Sequence, residues 1–147
     1  MVSRELRSKL QRRREEEQVS TITESLSGLR NFGYVQDDEM PDWVRLKVAE
    51  WLRSDSLPDS RIDDEVEGQV NQWIEKFAGD SKIGKRFYCR TGLLFFPWLD
   101  CEVAGGGWAR VLRQAIGNDL VMVSHDKSLS VAFFQEEYEY LAFYGSQ

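Results

Sequence analysis

A run of three glycines, Gly105-Gly106-Gly107, lies directly before Trp108 and a short amphipathic pattern. Backbone amides at the N-terminus of a helix, unshielded by side chains, can hold a phosphate group. The run lacks the Gly-Lys-Ser/Thr ending of a P-loop and the parallel βαβ context of a dinucleotide-binding fold. These three glycines are therefore the candidate residues for binding an acyl-CoA or nucleotide phosphate, and the sequence predicts no resident cofactor.

The pattern Gly105-x-Gly107-x-Ala109 follows an apolar stretch and opens a predicted helix. It resembles the acetyl-CoA pyrophosphate loop of the GNAT acetyltransferases. The resemblance covers this loop alone and implies a small acyl-transferring enzyme. Glu102 lies three positions before the first glycine, where the resemblance implies Gln or Arg.

Other reactive side chains are few. Asp100 and Glu102 lie two residues apart, so on a strand they would share one face, as a general acid/base pair can. A thiol nucleophile would need Cys89 or Cys101 beside His125, the only histidine. No C-x-x-C or H-x-x-x-H spacing is present, so we predict no metal site and no catalytic residue, with both thiols reduced.

Charge is distributed unevenly along the chain. Residues 1–14 contain six basic residues and one acidic residue, whereas residues 15–80 contain six basic and seventeen acidic ones. The remaining residues are balanced, which leaves a net charge of −6. An acidic middle segment repels nucleic-acid backbones and attracts basic proteins. We therefore expect a basic protein partner and no nucleic acid.

Two acidic patches are candidate contact surfaces for such a partner. Aromatic residues make up 12% of the chain, more than a core of this size requires, and Tyr and Trp are favoured at protein interfaces. The last acidic group lies among tyrosines, which combines aromatic anchors with negative charge. The predicted partner-binding residues are Asp37, Asp38, Glu39, Asp63, Asp64, Glu65 and Glu67 in the first patch, and Glu136, Glu137, Tyr138 and Tyr140 in the second.

Apolar periodicity changes near residue 80. Apolar residues three or four apart predict helices over residues 19–29, 41–52, 63–77 and 108–116. Short apolar runs broken by turn residues predict strands over 86–90, 93–96, 120–124 and 129–134, with turns at 91–92 and 125–128. The aromatic tail, residues 138–144, is compatible with either a strand or a helix.

These elements predict an α+β fold with N-terminal helices packed on one face of a mainly antiparallel sheet. The sheet should contain about four or five strands, with one short helix inserted between strand pairs. Residues 1–18 are expected to form a charged helical arm that is either exposed or partly frayed, and residues 19–147 a single α+β domain. Because the first residues are charged and no long apolar run is present, we expect a cytoplasmic protein without a membrane partner.

The leading functional hypothesis is a small acidic protein-binding module. It would be an inhibitor of the kind represented by bacterial immunity proteins and antitoxins, which neutralises a basic toxin such as a nuclease. The first alternative is an enzyme that binds an acyl-CoA or nucleotide phosphate at Gly105–Gly107. The second is a regulatory or structural subunit that docks through its N-terminal helix. The oligomeric state stays open at this point.

Overall fold

The computed structural model describes residues 3–64 and 67–147, with the side chain of Glu67 outside the description. Within these ranges the chain forms four α-helices, one 3₁₀ helix and seven strands. The helices are α1 (Arg4–Ser25), the 3₁₀ helix (Asp37–Glu39), α2 (Asp42–Trp51), α3 (Glu67–Asp80) and α4 (Trp108–Ala115). The strands are β1 (Leu29–Val35), β2 (Ser60–Asp63), β3 (Arg86–Arg90), β4 (Trp98–Val103), β5 (Leu120–Ser124), β6 (Leu129–Gln135) and β7 (Glu139–Ser146).

All seven strands belong to one sheet of order β1-β4-β3-β5-β6-β7-β2, in which each neighbouring pair is antiparallel. The α+β class and the antiparallel sheet are thus confirmed, but the predicted number of four or five strands is wrong. The helices are also spread through the chain rather than gathered before the strands. The tail forms a strand, β7.

Three strands lie where the sequence predicted none, namely β1, β2 and β4, and the first two are the edge strands of the sheet. Edge strands pair on one side only and are often short or polar, so they lack the apolar runs that identify central strands. In β1 the register shifts between Asn31 and Tyr34, where Gly33 takes a φ of +102° and donates its N–H to the Asn31 side chain. The predicted strand at 93–96 is instead part of the loop that joins β3 to β4.

Helices cover both faces of the sheet, which corrects the expectation of a single covered face. Ile22 of α1, Ile74 of α3 and Leu112 of α4 belong to one buried cluster, on the face that includes Phe87 and Phe133. A second buried cluster lies on the opposite face, where α2 contributes Val44, Val48 and Trp51 against Tyr88, Trp98 and Phe143. The sheet is therefore the middle layer of three.

Helix α1 passes through residue 18 without interruption, and its polar stretch contributes one buried side chain, that of Glu15. This carboxylate is only 2% exposed. It accepts hydrogen bonds from the backbone N–H groups of Leu94 (3.1 Å) and Phe95 (2.7 Å) and from the Gln11 amide (2.6 Å). The carboxylate thus fixes the β3–β4 loop to α1.

No helix among the described residues is long and apolar enough to cross a bilayer.

Candidate protein-binding surface

The acidic segments of the sequence lie along one rim of the sheet, formed by the ends of β1, β3, β6 and β2 and the beginnings of β4, β5 and β7. The 3₁₀ helix Asp37–Glu39 follows the end of β1, and Asp63 and Asp64 lie at the end of β2. The turn 136–138 joins β6 to β7 at the same rim. We call this edge the acidic rim. Its eight carboxylates are those of Asp37, Asp38, Glu39, Asp63, Asp64, Glu136, Glu137 and Glu139.

One corner of the acidic rim joins segments that are far apart in sequence. Asp63 pairs with Glu139 in the β2–β7 register, and the N–H of Asp64 donates to the carbonyl of Tyr138 at 3.2 Å. The turn is closed by a 2.7 Å hydrogen bond from the N–H of Glu136 to the carbonyl of Glu139. Tyr138 is 73% exposed at this corner. The fold thus places an exposed tyrosine in the same corner as four acidic residues that follow β2 and β6.

The other corner is the 3₁₀ helix. Trp98 donates its indole N–H to Asp37 at 2.7 Å, and Glu39 accepts the N–H of Gln36 at 3.0 Å. These two carboxylates therefore have structural partners, although both residues are exposed, as is Asp38. The edge strands that carry the two corners are six strand spacings apart, or about 29 Å. A partner of ordinary domain size could contact both corners.

Several of the predicted contact residues are not exposed on the acidic rim or lie outside the described residues. Tyr140 is buried, and its hydroxyl accepts a 2.7 Å hydrogen bond from Arg113, so it supports the core beneath the rim. Glu65 and the side chain of Glu67 lie outside the described residues. Glu139 alternates with the tyrosines in the sequence but was not among the predicted contact residues, and its carboxylate lies 3.4 Å from the Arg61 guanidinium.

An apolar groove borders the acidic rim on the α2 face. It comprises two adjoining clefts of about 620 and 560 Å³ that share Leu52 and Arg90. Buried residues of the α2-face cluster, among them Val44, Trp98 and Phe134, contribute to its lining. Leu52 itself is 62% exposed. We call this feature the α2 groove; its residues gave no motif in the sequence.

The glycine run does precede a helix, but its amides are already occupied. Glu75 of α3 accepts the N–H of Gly107 at 2.9 Å and that of Ala109 at 3.3 Å. Gly107 has a φ of +89°, which brings the chain into α4 in a conformation that favours glycine. A phosphate at Gly105–Gly107 would have to displace the Glu75 carboxylate. The Glu75 carboxylate thus takes the place that a bound anion would have at this helix N-terminus.

The cysteines and the histidine lie on opposite faces of the sheet. Cys89 and Cys101 are buried in the cluster on the α1, α3 and α4 face, whereas His125 stacks on Tyr88, which belongs to the α2-face cluster. Burial raises the pKa of Cys101 to about 12 and that of Cys89 well above its ordinary value. The thiols are therefore protonated and have no base beside them, so the arrangement does not form a thiol nucleophile.

Asp100 is occupied by an ion pair. Both of its carboxylate oxygens accept hydrogen bonds from the Arg86 guanidinium, at 3.1 and 3.0 Å. Asp100 is buried, while Glu102 is half-buried and lies 3.7 Å from Arg30. Each carboxylate thus has its own arginine, an arrangement that stabilises three neighbouring strands rather than preparing a general acid. In the ranges that the structure describes, no group of three or more His, Cys, Asp or Glu side chains is placed to hold a metal ion.

Comparisons with known proteins gave no match, whether against models of protein families, curated proteins or solved structures.

Proposed function

We propose that this protein is an acidic protein-binding module that neutralises a basic protein partner through the acidic rim. The observation that supports the proposal is the placement of carboxylates that follow β1, β2 and β6 along one rim, with exposed Tyr138 at one corner. The immunity or antitoxin type of inhibitor fits this chemistry, and a nuclease is a suitable target. Carboxylates of such an inhibitor occupy a basic cleft where substrate phosphates would bind.

Long-range electrostatics supports the same proposal. Residues 15–80 alone hold an excess of eleven acidic over basic residues, and part of this excess lies on the rim. A concentrated negative field accelerates association with a basic protein and makes the rate fall as salt is added. Tyr138 would supply a desolvated aromatic contact that slows dissociation of the complex. Charged side chains at a solvated rim mainly raise the association rate and slow dissociation little.

The test compares two charge-reversed variants of equal net charge. Both change exposed residues, and the second places the same three reversals on the outer surface of α1. The rim variant is Asp38→Lys, Glu136→Lys and Glu137→Lys, and the control variant is Glu16→Lys, Glu17→Lys and Glu24→Lys.

Each protein is used to capture partners from a lysate of its native host at low salt, and the captured partner is then purified. We expect wild type and control to retain one basic protein and inhibit its activity. The rim variant should associate roughly 10-fold or more slowly and with a weaker dependence on salt. Equal association rates and equal inhibition for rim and control variants would refute the proposal.

A second candidate, a regulatory or structural subunit, is supported by the exposure of every residue from Arg4 to Leu10 at the start of α1. Deleting residues 1–10 keeps Gln11 and Glu15, and therefore keeps the β3–β4 loop in place. Loss of assembly with retained inhibition would favour docking through α1. Loss of neither would exclude this candidate.

A further inference from the structure

The first turns of α1 form an exposed arm. All residues from Arg4 to Leu10 are exposed, and the first buried side chain of the helix is that of Glu15. Leu6 and Leu10 are 46% and 48% exposed, and their i,i+4 spacing places them on one helix face. At 100° per residue, they point about 180° and 140° away from the Glu15 face that contacts the protein. The arm therefore presents two leucines outward.

This segment, which we call the α1 arm, is also basic. Arg4, Arg7 and Lys9 outnumber Glu5, which gives residues 4–10 a net charge of +2. Seven residues of helix extend about 10 Å. The arm is thus a short basic helix with an apolar stripe, and solvation of both leucines is unfavourable.

The α2 groove has the complementary chemistry. Its lining includes the buried apolar side chains of Val44, Trp98 and Phe134, and exposed Leu52 borders both of its clefts. The side chains with charge that line it are Asp37, Asp38, Asp42, Asp119, Arg45 and Arg90, a net charge of −2. A basic helix with two leucines would bury them on the floor and place its cationic groups beside the aspartates.

The arm of the same chain cannot reach this groove. Helix α1 packs on the face of the sheet opposite to α2, and it continues without a break from Arg4 to Ser25. Folding the arm back would require breaking α1 and releasing Glu15 from the β3–β4 loop. A second copy has no such restriction, and exchange of arms between two copies closes into a symmetric dimer.

We infer that the α1 arm of one copy docks in the α2 groove of a second copy, forming a reciprocal dimer held by two equivalent contacts. Leu6 and Leu10 provide the apolar contact, and Arg4 and Arg7 pair with aspartates that border the groove. This dimer does not rest on the proposed inhibitor function, because it requires only the chain itself.

The first measurement is sedimentation equilibrium of the full chain, from micromolar to millimolar concentration and at low and high salt. We expect the mass to rise from the 17.1 kDa monomer toward twice that value, with weaker association at high salt. The double substitution Leu6→Glu/Leu10→Glu should weaken dimerisation by about 100-fold or more, since it removes both apolar contacts. The control Leu57→Glu changes an apolar residue that is 86% exposed and lies outside the groove, and it should leave dimerisation unchanged.

A charge exchange then tests the specific pairing. The arm variant is Arg4→Glu/Arg7→Glu, and the groove variant is Asp38→Arg/Asp42→Arg. Each alone places like charges together in both contacts of the dimer, so each should be monomeric. In an equimolar mixture, both contacts of the heterodimer are complementary again, and dimers should return.

Wild type that stays monomeric at the highest concentration and lowest salt would overturn the inference. Dimers that persist in Leu6→Glu/Leu10→Glu, or a mixture in which the two charge variants do not associate, would also overturn it. Circular dichroism of each variant establishes that it is folded before its mass is measured.

Discussion

The side chain of Glu15 offers a sharp test of how α1 is held. Three consecutive glutamates, Glu15, Glu16 and Glu17, have the same chemistry, but only the first is buried. Hydrogen bonds to a charged group contribute about 1.5–3 kcal/mol each. In Glu15→Gln the amide oxygen can accept from one backbone N–H, and the other N–H then faces an NH₂ group. We expect a loss of about 2–4 kcal/mol of unfolding free energy.

The matched control is Glu16→Gln. Glu16 lies 3.4 Å from Arg12, but both side chains are more than half exposed, so its loss should cost no more than about 0.5 kcal/mol. Chemical denaturation followed by tryptophan fluorescence measures both values. For a domain of this size, Glu15→Gln should lower Tm by roughly 5–15 °C. Hydrogen exchange should accelerate at the amides of Leu94 and Phe95.

The pH dependence gives an independent measurement. Burial alone raises the pKa of Glu15, but the hydrogen bonds from Phe95, Gln11 and Leu94 together outweigh it and lower this pKa below its ordinary value of 4.5. The stabilisation is therefore complete above pH 4.5 and is lost as the pH falls through the lowered value. The difference between wild type and Glu15→Gln should shrink in that window. Equal stability of the Glu15→Gln and Glu16→Gln variants at neutral pH would refute this reasoning.

Other predictions concern packing, acid stability and the thiols. Gly145→Ala should destabilise by about 1–3 kcal/mol, because its Cβ would lie 2.8 Å from the buried Trp51 ring. Gly79→Ala, with open space and a helical position, should stabilise by up to about 1 kcal/mol in the same denaturation assay. Hydrogen bonds from two serines lower the pKa of Asp126 to about 2, so Asp126→Asn should remove stability that wild type retains above pH 3.8 and loses toward pH 2. Both buried thiols should react with a thiol reagent only when the chain unfolds, and rapid labelling of the native protein would contradict their placement.

Sequence periodicity located the elements whose apolar faces are continuous. Helices α2 and α4 and strands β3, β5 and β6 fall close to their predicted positions because each buries an apolar run or stripe. The predicted helix at 63–77 corresponds to α3, Glu67–Asp80, but its first predicted residue, Asp63, pairs with β7 in the sheet. Sequence alone offered no partner for Asp63. Short edge strands depend on neighbours that are distant in the chain.

The buried position of Glu15 was not predicted, although the sequence contains an indication of it. Glu15 precedes Val19, Ile22 and Leu26 at helical spacing, so it occupies an apolar stripe position in an otherwise polar run. An acidic residue in such a position indicates a buried partner. What the sequence could not supply was that partner, because backbone amides of the β3–β4 loop carry no sequence signature.

The placement of the acidic segments on one rim also could not be predicted from the sequence. Asp63 and Tyr138 are brought together by the β2–β7 pairing, which depends on strand order rather than on local pattern. The two patches were predicted separately, and the fold places both on one rim about 29 Å across. The proposal of a single contact surface therefore depends on the shared placement of the patches along the rim rather than on the charge of either patch.

The acidic rim and the α2 groove share Asp37 and Asp38, so the two proposals are thermodynamically linked. A basic partner that covers the 3₁₀ helix must displace the arm of the second copy. The free energy of dissociating the dimer is then subtracted from the binding free energy of the partner. The apparent affinity for the partner would then fall as the inhibitor concentration exceeds the dissociation constant of the dimer. The Leu6→Glu/Leu10→Glu variant would escape this penalty, because its rim is intact and its arm no longer docks. Partner binding that is tighter in this variant than in wild type, with the difference growing with inhibitor concentration, is the signature of competition for one surface.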